Sequence, residues 1–134
     1  MDVNGPAEER VGPLSAAIRE RHFRAFKALL KREDINVNRI SEVAPIHTAL
    51  LAGMESFEMI QALVEREDLD VNVQDDVGWT PLHMAAQFGY SDVVKLLISR
   101  KDINTSIINT EGVTALGLAR RNGRNEIADA IASV

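Results

Sequence analysis

Residues 78–86 read Gly-Trp-Thr-Pro-Leu-His-Met-Ala-Ala, and this stretch decides the fold. Thr80 suits a helix N-cap, and Pro81 suits the first helical position, where its missing N–H costs nothing. His83 then stands at the third helical position, within reach of the capping threonine. Small apolar residues follow, and Gly89 is a natural left-handed stop. The stretch therefore predicts a short helix of about eight residues.

The same pattern recurs along the chain. Related segments begin at Gly12, Ala44, Thr80 and Thr114. A loop of the form Arg-x-Asp starts at residues 32, 66 and 100, so the period is 34 residues. A period of this size is the signature of a repeat architecture, in which each repeat buries its apolar stripe only against its neighbours.

A second apolar run follows each short helix, and in the third repeat it is residues 93–97. Ser91 in that repeat, and Asn125 in the last one, are expected to cap a second helix, with an acidic residue in its first turn. Each repeat is thus predicted to be a helix, a turn and a second helix, followed by a loop rich in Asp and Asn.

At these residues the chain resembles the ankyrin-repeat family, and the resemblance covers roughly residues 12–134. It implies an all-α fold, an α-solenoid of about four helix-turn-helix repeats with short β-hairpin-like finger loops. The expected organisation is a flexible lead-in at residues 1–11 and a single domain at 12–134. Its repeats are expected to span about 12–43, 44–78, 79–112 and 113–134.

Several positions depart from the family pattern. The finger loop between Asn38 and Pro45 is two residues short, and the turn around Met54–Ser56 is longer than its counterparts. Arg21 stands where the first inner helix would end in glycine, which leaves that cap the least defined element. The Arg-x-Asp loops carry one more residue than the family pattern and lack its glycine.

Composition excludes several classes of function. The chain has no cysteine, so it has no disulfides and no thiolate metal site, which fits a reducing compartment and a cytoplasmic location. Residues 45–109 hold ten Asp/Glu against four Lys/Arg. That balance argues against nucleic acid or an anionic membrane as the ligand and favours a basic protein partner. An acidic face that only aids solubility is the alternative.

No catalytic or cofactor motif is recognisable. His47 and His83 stand at the repeat histidine position, where the resemblance implies capping and inter-repeat hydrogen bonds instead of metal binding or catalysis. Asp75 and Asp76 are a poor acid/base pair, because nothing in the sequence suggests burial that would split their pKa values. We therefore expect a non-enzymatic protein with no cofactor and no bound metal.

The partner is expected to contact the finger loops and the concave face formed by the inner helices. The predicted binding residues are Trp79, Phe88, Gln87, Asp76, Val77, Leu51, Glu111, Val113 and Arg121. Trp79 is either a binding anchor or a packing residue against the neighbouring finger, and both readings stay open. The basic cluster at Arg120, Arg121 and Arg124 could receive an acidic residue of the partner, or it is a solvated face balanced by Glu126 and Asp129.

The sequence thus predicts a monomeric, non-catalytic protein–protein interaction module that acts as a scaffold, adaptor or regulator. One alternative is that the domain is a substrate of asparagine hydroxylation at the hairpin residue Asn72. An enzyme or a small-molecule binder is a further alternative, for which no convergent polar pocket can be named.

Overall fold

The computed structural model describes residues 12–38 and 44–134, and all its regular elements are helical. The α-helices of these residues are α1 (Pro13–Arg19), α2 (Phe23–Leu30), α3 (Pro45–Ala52), α4 (Phe57–Val64), α5 (Pro81–Phe88), α6 (Ser91–Ile98), α7 (Ala115–Arg121) and α8 (Asn125–Ala132). They pair in sequence as four helix-turn-helix repeats, which confirms the predicted all-α repeat fold. The predicted lead-in at residues 1–11 and most of the first finger loop lie outside the described residues.

The chain divides into two compact units between Leu69 and Asp70. We call residues 12–38 and 44–69 the N-terminal half, and residues 70–134 the C-terminal half. Each half holds two repeats, and each is described by itself. The assignment of residues 12–134 to one domain stays a prediction.

In the C-terminal half, two inner helices and two outer helices pack in layers. Helix α5 packs against α6 and α7, and α8 packs against α6 and α7. The buried apolar side chains that join them include Leu82, Ala85, Ala86, Val93, Val94, Leu97, Leu118, Ala119, Ile127 and Ile131. Alanine on the facing sides of α5 and α7 lets the two inner helices approach closely, because a methyl group takes little space between the helix axes.

The predicted capping arrangement of α5 is confirmed. The Thr80 hydroxyl oxygen accepts from the backbone N–H of His83 at 3.2 Å, and His83 Nδ1 accepts from the backbone N–H of Thr80 at 3.2 Å. This reciprocal pair satisfies two N–H groups that the first helical turn would leave unbonded. The helix ends at Gly89, which is left-handed with φ 78° and ψ 29°.

The predicted caps of the second helices are wrong by one residue. Ser91 and Asn125 are already the first helical residues, the N-caps are Tyr90 and Arg124, and neither of these makes a side-chain cap. The reason lies in the tight turn before each helix. The N–H of Tyr90 bonds back to the Ala85 carbonyl at 2.9 Å, and the Tyr90 carbonyl accepts the first bond of α6 from Val94.

The N-terminal half repeats this arrangement with different turns. Helix α1 packs against α2 and α3, and α3 packs against α4. Its buried core includes Leu14, Ile18, Phe26, Ile46, Leu50, Ile60 and Leu63. The predicted longer turn is a 3₁₀ helix at Met54–Ser56, entered through Gly53 with φ 93° and ψ −176°. Arg21 adopts φ 58°, the left-handed conformation that Gly89 takes in the third repeat.

The Arg-x-Asp loops, which lack the family glycine, are held by side-chain hydrogen bonds. Arg66 donates two hydrogen bonds to the carboxylate of Asp68, at 2.9 and 2.8 Å, and a third to the backbone carbonyl of Leu30 at 2.6 Å. The arginine therefore satisfies a carbonyl at the C-terminal end of α2, a role that a neighbouring backbone group often fills. This fork with Asp68 raises the pKa of Arg66. Arg100 makes the same fork with Asp102, whose carboxyl pKa is lowered by it.

Asparagine side chains join consecutive loops within each half. In the N-terminal half Asn38 Nδ2 donates to the Asp68 carbonyl at 2.7 Å. In the C-terminal half Asn72 Nδ2 donates to the Asp102 carbonyl at 2.8 Å, and Asn72 Oδ1 accepts from the N–H of Asn104 at 2.8 Å. The two Asn-to-Asp contacts recur at the repeat spacing of 34 residues, so one side chain per loop holds the next loop in register.

Candidate protein-binding surface

The finger loop of the third repeat is held by one aspartate. Asp75 Oδ1 accepts from the N–H groups of Val77 at 3.0 Å and Trp79 at 2.8 Å, and the N–H of Asp75 donates to the Trp79 carbonyl at 3.0 Å. A carboxylate that bonds to its own loop in this way substitutes for a strand ladder. The loop is a closed turn, and no strand is assigned in the described residues.

The finger loop of the fourth repeat copies this arrangement with an asparagine. Asn109 Oδ1 accepts from the N–H groups of Glu111 at 2.9 Å and Val113 at 3.1 Å, and its own N–H donates to the Val113 carbonyl at 3.0 Å. The side chain is buried, and its Nδ2 has no hydrogen-bond partner. Only the oxygen that Asp and Asn share is needed to close the loop.

The two finger loops are bonded to each other. Both the N–H and the hydroxyl of Thr110 donate to the Val77 carbonyl, at 3.1 and 3.2 Å. Gln74 Nε2 donates to the carbonyls of Gly78 at 3.0 Å and Ile108 at 3.2 Å. The backbones approach so closely that a Cβ on Gly78 would lie 2.9 Å from Asn109 Cα. The fingers therefore form one hydrogen-bonded platform.

Apolar side chains project from this platform. Val77 is 51% exposed and Ile108 is 56% exposed, with the carboxylate of Asp76 exposed beside Val77 in the chain. Sequence reasoning named Val77 and Asp76 but missed Ile108. A signal was available, because Ile108 stands 34 residues after Gln74 and puts an apolar residue where the preceding repeat has a polar one.

Trp79 lies at the base of the finger and is half-buried. Its ring centroid is 6.2 Å from the His83 imidazole, with the planes tilted by 42°. A ring that is partly covered by its own repeat is held in one place, while its remaining surface is open to contact. The tryptophan packs on His83 of its own repeat, and its role as a binding anchor stays a prediction.

His83 bonds one repeat to the next, as expected. Nε2 lies 2.8 Å from the Val113 carbonyl, and Nδ1 lies 2.8 Å from the Thr80 hydroxyl. A neutral imidazole with the proton on Nε2 satisfies both contacts. Burial lowers the pKa of His83, since it disfavours the charged imidazolium, although the Val113 carbonyl acts in the opposite direction. His47 is also fully buried, but the N-cap of its helix is Ala44, which makes no side-chain cap.

The C-terminal ends of the inner helices carry the next group of predicted residues. Gln87 Oε1 accepts from Asn122 Nδ2 at 2.8 Å, which links α5 to the end of α7. Phe88 is 39% exposed, and its ring lies 5.5 Å from that of Tyr90. Gln87 therefore braces the surface, and Phe88 presents apolar area on it.

The charged residues of the last repeat pair differently from the prediction. Arg121 faces Glu111 at 3.8 Å, both side chains being exposed, and Arg124 donates to the Gln87 carbonyl at 3.2 Å. Glu126 pairs with Lys95 at 3.7 Å, so it does not serve as the balancing charge of the arginines. The prediction relied on closeness in the sequence, whereas helix α6 places Lys95 next to Glu126.

The remaining predicted site residues are Val113 and Leu51. Val113 is half-buried, and its carbonyl receives the His83 contact. Leu51 lies in the N-terminal half near the end of α3 and is 58% exposed. The structure therefore brings together most of the predicted residues in the C-terminal half, with Leu51 in the other half.

Within residues 12–38 and 44–134, no group of three or more His, Asp or Glu side chains could hold a metal ion. No helix in that part of the chain is long and apolar enough to cross a membrane. The amide of Asn72 is engaged with Asp102 and Asn104, so an enzyme acting on this side chain would first need that loop contact to open.

Comparison with known proteins gives one family. A family model described as ankyrin repeats in three copies matches residues 14–107 and again residues 46–133. Together the two matches span nearly all the described repeats. No curated protein matches the chain.

Proposed function

The chain belongs to the ankyrin-repeat family, whose repeats generally serve as protein–protein interaction modules, and we propose that this protein is a non-catalytic adaptor or regulator. In this proposal a protein partner binds the finger platform and the exposed ends of the inner helices in the C-terminal half. The protein acts as a monomer in the cytoplasm, a setting that suits a chain without cysteine. Its ligand is neither nucleic acid nor membrane.

The observation that carries the proposal is apolar area on an immobilised backbone. Val77, Ile108 and Phe88 are exposed, while the loops beneath the first two are held by Asp75, Asn109 and the bonds of Thr110. Ordering a flexible loop costs free energy on binding, so a loop that is already ordered keeps more of the contact energy. Exposed aromatic and aliphatic side chains on such a base are the usual anchors of an interface.

The partner is proposed to have a basic surface. Asp76 and Glu111 lie on the two finger loops, and Arg121 is partly neutralised by Glu111. Residues 70–109 of the same half hold five Asp/Glu against three Lys/Arg. Complementary charge would speed association and orient the partner, with the apolar anchors providing most of the affinity.

The test is a variant that removes the anchors and leaves the fold unchanged. Val77→Ser/Ile108→Ser/Phe88→Ala replaces three exposed side chains, and Val134→Ser is the matched control, since Val134 is equally exposed at the chain end. Proteins captured from native lysate by the wild type should be retained by the control and lost from the triple variant. The captured partner should then bind the triple variant at least about tenfold more weakly in calorimetry. Equal retention by all three proteins, at equal melting temperatures, would remove this surface from the proposal.

A further inference from the structure

A cleft opens in the N-terminal half beside the long turn of the second repeat. It has a volume of about 500 Å³, and its apolar lining is Phe23, Met54, Phe57 and Met59. Met54 is 39% exposed at the start of the 3₁₀ helix. The two extra residues of this turn separate α3 from the start of α4 and so leave space next to the start of α2. Its volume lies within the range of about 300 to 1,000 Å³ of ligand clefts.

A smaller cleft of about 260 Å³ adjoins it, lined by Arg19, Arg21, Thr48, Leu51 and Ala52. No acidic side chain lines this second cleft, while two arginines do. Leu51 and Ala52 supply its apolar wall at the end of α3. A carboxylate would therefore find two guanidinium groups here, of which that of Arg21 already pairs with Glu55 of the neighbouring cleft.

Arg21 is the wall between the two clefts, because it lines both. Its guanidinium forms an ion pair with the carboxylate of Glu55 on the rim of the larger cleft. Arg21 is also the only non-glycine residue in the described chain with a positive φ. A side chain kept in the left-handed region, where glycine would be free of strain, is a position at which function can outweigh local stability.

The N-terminal half carries its positive charge in the first repeat, whereas residues 44–69 contain one Lys/Arg and five Asp/Glu. Residues 12–38 contain six Lys/Arg and three Asp/Glu. Arg24, Lys27 and Lys31 are all exposed and lie on one face of α2 and its end, at spacings of three and four residues. Lys27 Nζ lies 4.6 Å above the Phe23 ring, which brings this positive face to the edge of the larger cleft.

We propose that these two clefts bind a short acidic peptide segment of a second protein partner, which presents a large apolar side chain close to an Asp or Glu. The apolar side chain occupies the cleft of Phe23, Met54 and Phe57. The carboxylate of the peptide lies between the guanidinium groups of Arg19 and Arg21. There it either displaces Glu55 from Arg21 or shares Arg21 with Glu55. This surface is separate from the finger platform, and it attracts the opposite charge.

The acidic residues on the rim determine in which orientation the peptide binds and which class of ligand the clefts accept. Glu55 and Glu58 line the larger cleft and would repel a carboxylate placed there, so the acid of the peptide must lie on the arginine side. The same two carboxylates oppose a polyanion laid across both clefts. A nucleic acid also lacks the aliphatic side chain that the methionines and phenylalanines would bury.

The experiment uses a displayed library of random 12-residue peptides, selected on the 134-residue chain. Selection is repeated against Arg19→Ala/Arg21→Gly. This variant removes both guanidiniums, and it keeps the fold because glycine is at ease at φ 58°. Lys95→Ala/Lys101→Ala is the matched control, since it removes two exposed cations of the other half. The selected peptides are then labelled and their affinities measured by fluorescence anisotropy.

The expected peptides combine an Asp or Glu with Leu, Met, Phe or Trp a few residues away. Their affinity should fall at least about tenfold in Arg19→Ala/Arg21→Gly and in Met54→Glu, and stay unchanged in the lysine control. Amide chemical shifts should move at Thr48, Leu51 and Met54. The proposal is overturned if selection enriches no such pairing, or if the three variants bind alike. It is also overturned if a 12-nucleotide single-stranded oligonucleotide displaces the peptide at equal concentration.

Discussion

The turns between paired helices are alike in the C-terminal half and different in the N-terminal half. Gly89 and Gly123 both adopt left-handed conformations, and each is followed by a residue whose N–H bonds back to an alanine carbonyl. In the N-terminal half Arg21 takes the glycine's place in one turn, and a 3₁₀ helix lengthens the other. The outer helices α6 and α8 pack together, whereas clefts open beside the N-terminal turns. The irregular turns of the N-terminal half thus line its clefts.

Helix capping differs in the same direction. Thr80 and Thr114 cap α5 and α7 through their hydroxyls, whereas Gly12 and Ala44 at the corresponding positions make no side-chain cap. The C-terminal half thus has local bonds that the N-terminal half lacks. We therefore expect substitutions at Gly78, Thr80 and Thr114 in the C-terminal half to lower the free energy of unfolding. Arg21→Gly in the N-terminal half is expected to raise it.

The largest effect is expected for Gly78→Ala in the finger platform. The new Cβ would meet the backbone of Asn109 at 2.9 Å, and φ 78° disfavours any side chain. We expect a loss of about 3 kcal/mol in the free energy of unfolding, measured by urea denaturation.

Gly112→Ala is the control for this change. Gly112 has φ 75°, but a Cβ there would meet nothing within 4 Å. It should lose only about 1 kcal/mol, the backbone term alone. Equal losses at the two glycines would mean that the close approach of the fingers contributes nothing to stability.

Removal of the cap at Thr80 is expected to have the second-largest effect. Thr80→Ala should cost about 1 to 2 kcal/mol, because the hydroxyl bonds both the backbone and the imidazole of His83. Thr114→Ala should cost less, about 0.5 to 1 kcal/mol, since its hydroxyl caps only Gly117. Thermal unfolding of both variants measures the difference, and a greater loss for Thr114→Ala would contradict the ranking.

The pH dependence of stability tests the buried histidine of the C-terminal half. Because the pKa of His83 is lowered in the folded state, the unfolded chain binds a proton more readily. The contribution of the neutral His83 side chain to folding stability is fully present above the unfolded pKa of about 6.5. It is lost as pH falls from there through the folded pKa. Chemical denaturation between pH 7.5 and 5 should show this decline.

Two substitutions separate this contribution from other titrating groups. His83→Gln should flatten the decline, whereas His22→Gln should leave it intact, because His22 is exposed. A decline of the same size in His83→Gln would assign it to carboxylates elsewhere.

The smallest effect is expected for Arg21→Gly, and it has the opposite sign. Glycine relieves the left-handed strain, and the exposed ion pair with Glu55 is worth little, so stability should rise by about 0.5 kcal/mol. Gly89→Ala puts a side chain into the same left-handed conformation in the C-terminal half. Its Cβ would also displace the Arg124 guanidinium, so stability should fall by at least about 1 kcal/mol. A lower melting temperature for Arg21→Gly would show that the ion pair outweighs the strain.

Much of the fold and part of the candidate surface could be predicted from local patterns. The cap of Thr80, the stop at Gly89 and the longer turn at Met54–Ser56 were predicted correctly, because each depends on residues within a few positions of one another. The caps at Ser91 and Asn125 were predicted one residue late. There the backbone hydrogen bond to the preceding helix determines where the second helix begins, and no side chain in the sequence indicates that position.

Contacts between repeats were harder to predict. The fork of Arg66 to Asp68 is local, but its third bond to Leu30 spans 36 residues. The pairing of Glu126 with Lys95 and the exposure of Ile108 depend on how neighbouring helices and loops are aligned. Such relations appear only when two repeats are placed side by side.

The sequence by itself determined the repeat period, the helix-turn-helix order, the membership of the ankyrin-repeat family and the structural role of His83. These follow from short-range rules of capping, turn formation and apolar periodicity, which act within one repeat. Only the tertiary structure decided which side chains remain exposed, how the two fingers of the C-terminal half clamp together, and where the clefts beside Arg21 lie. The physical reason is that exposure, close backbone approach and empty volume depend on which residues pack next to one another in three dimensions. A sequence pattern does not contain that information.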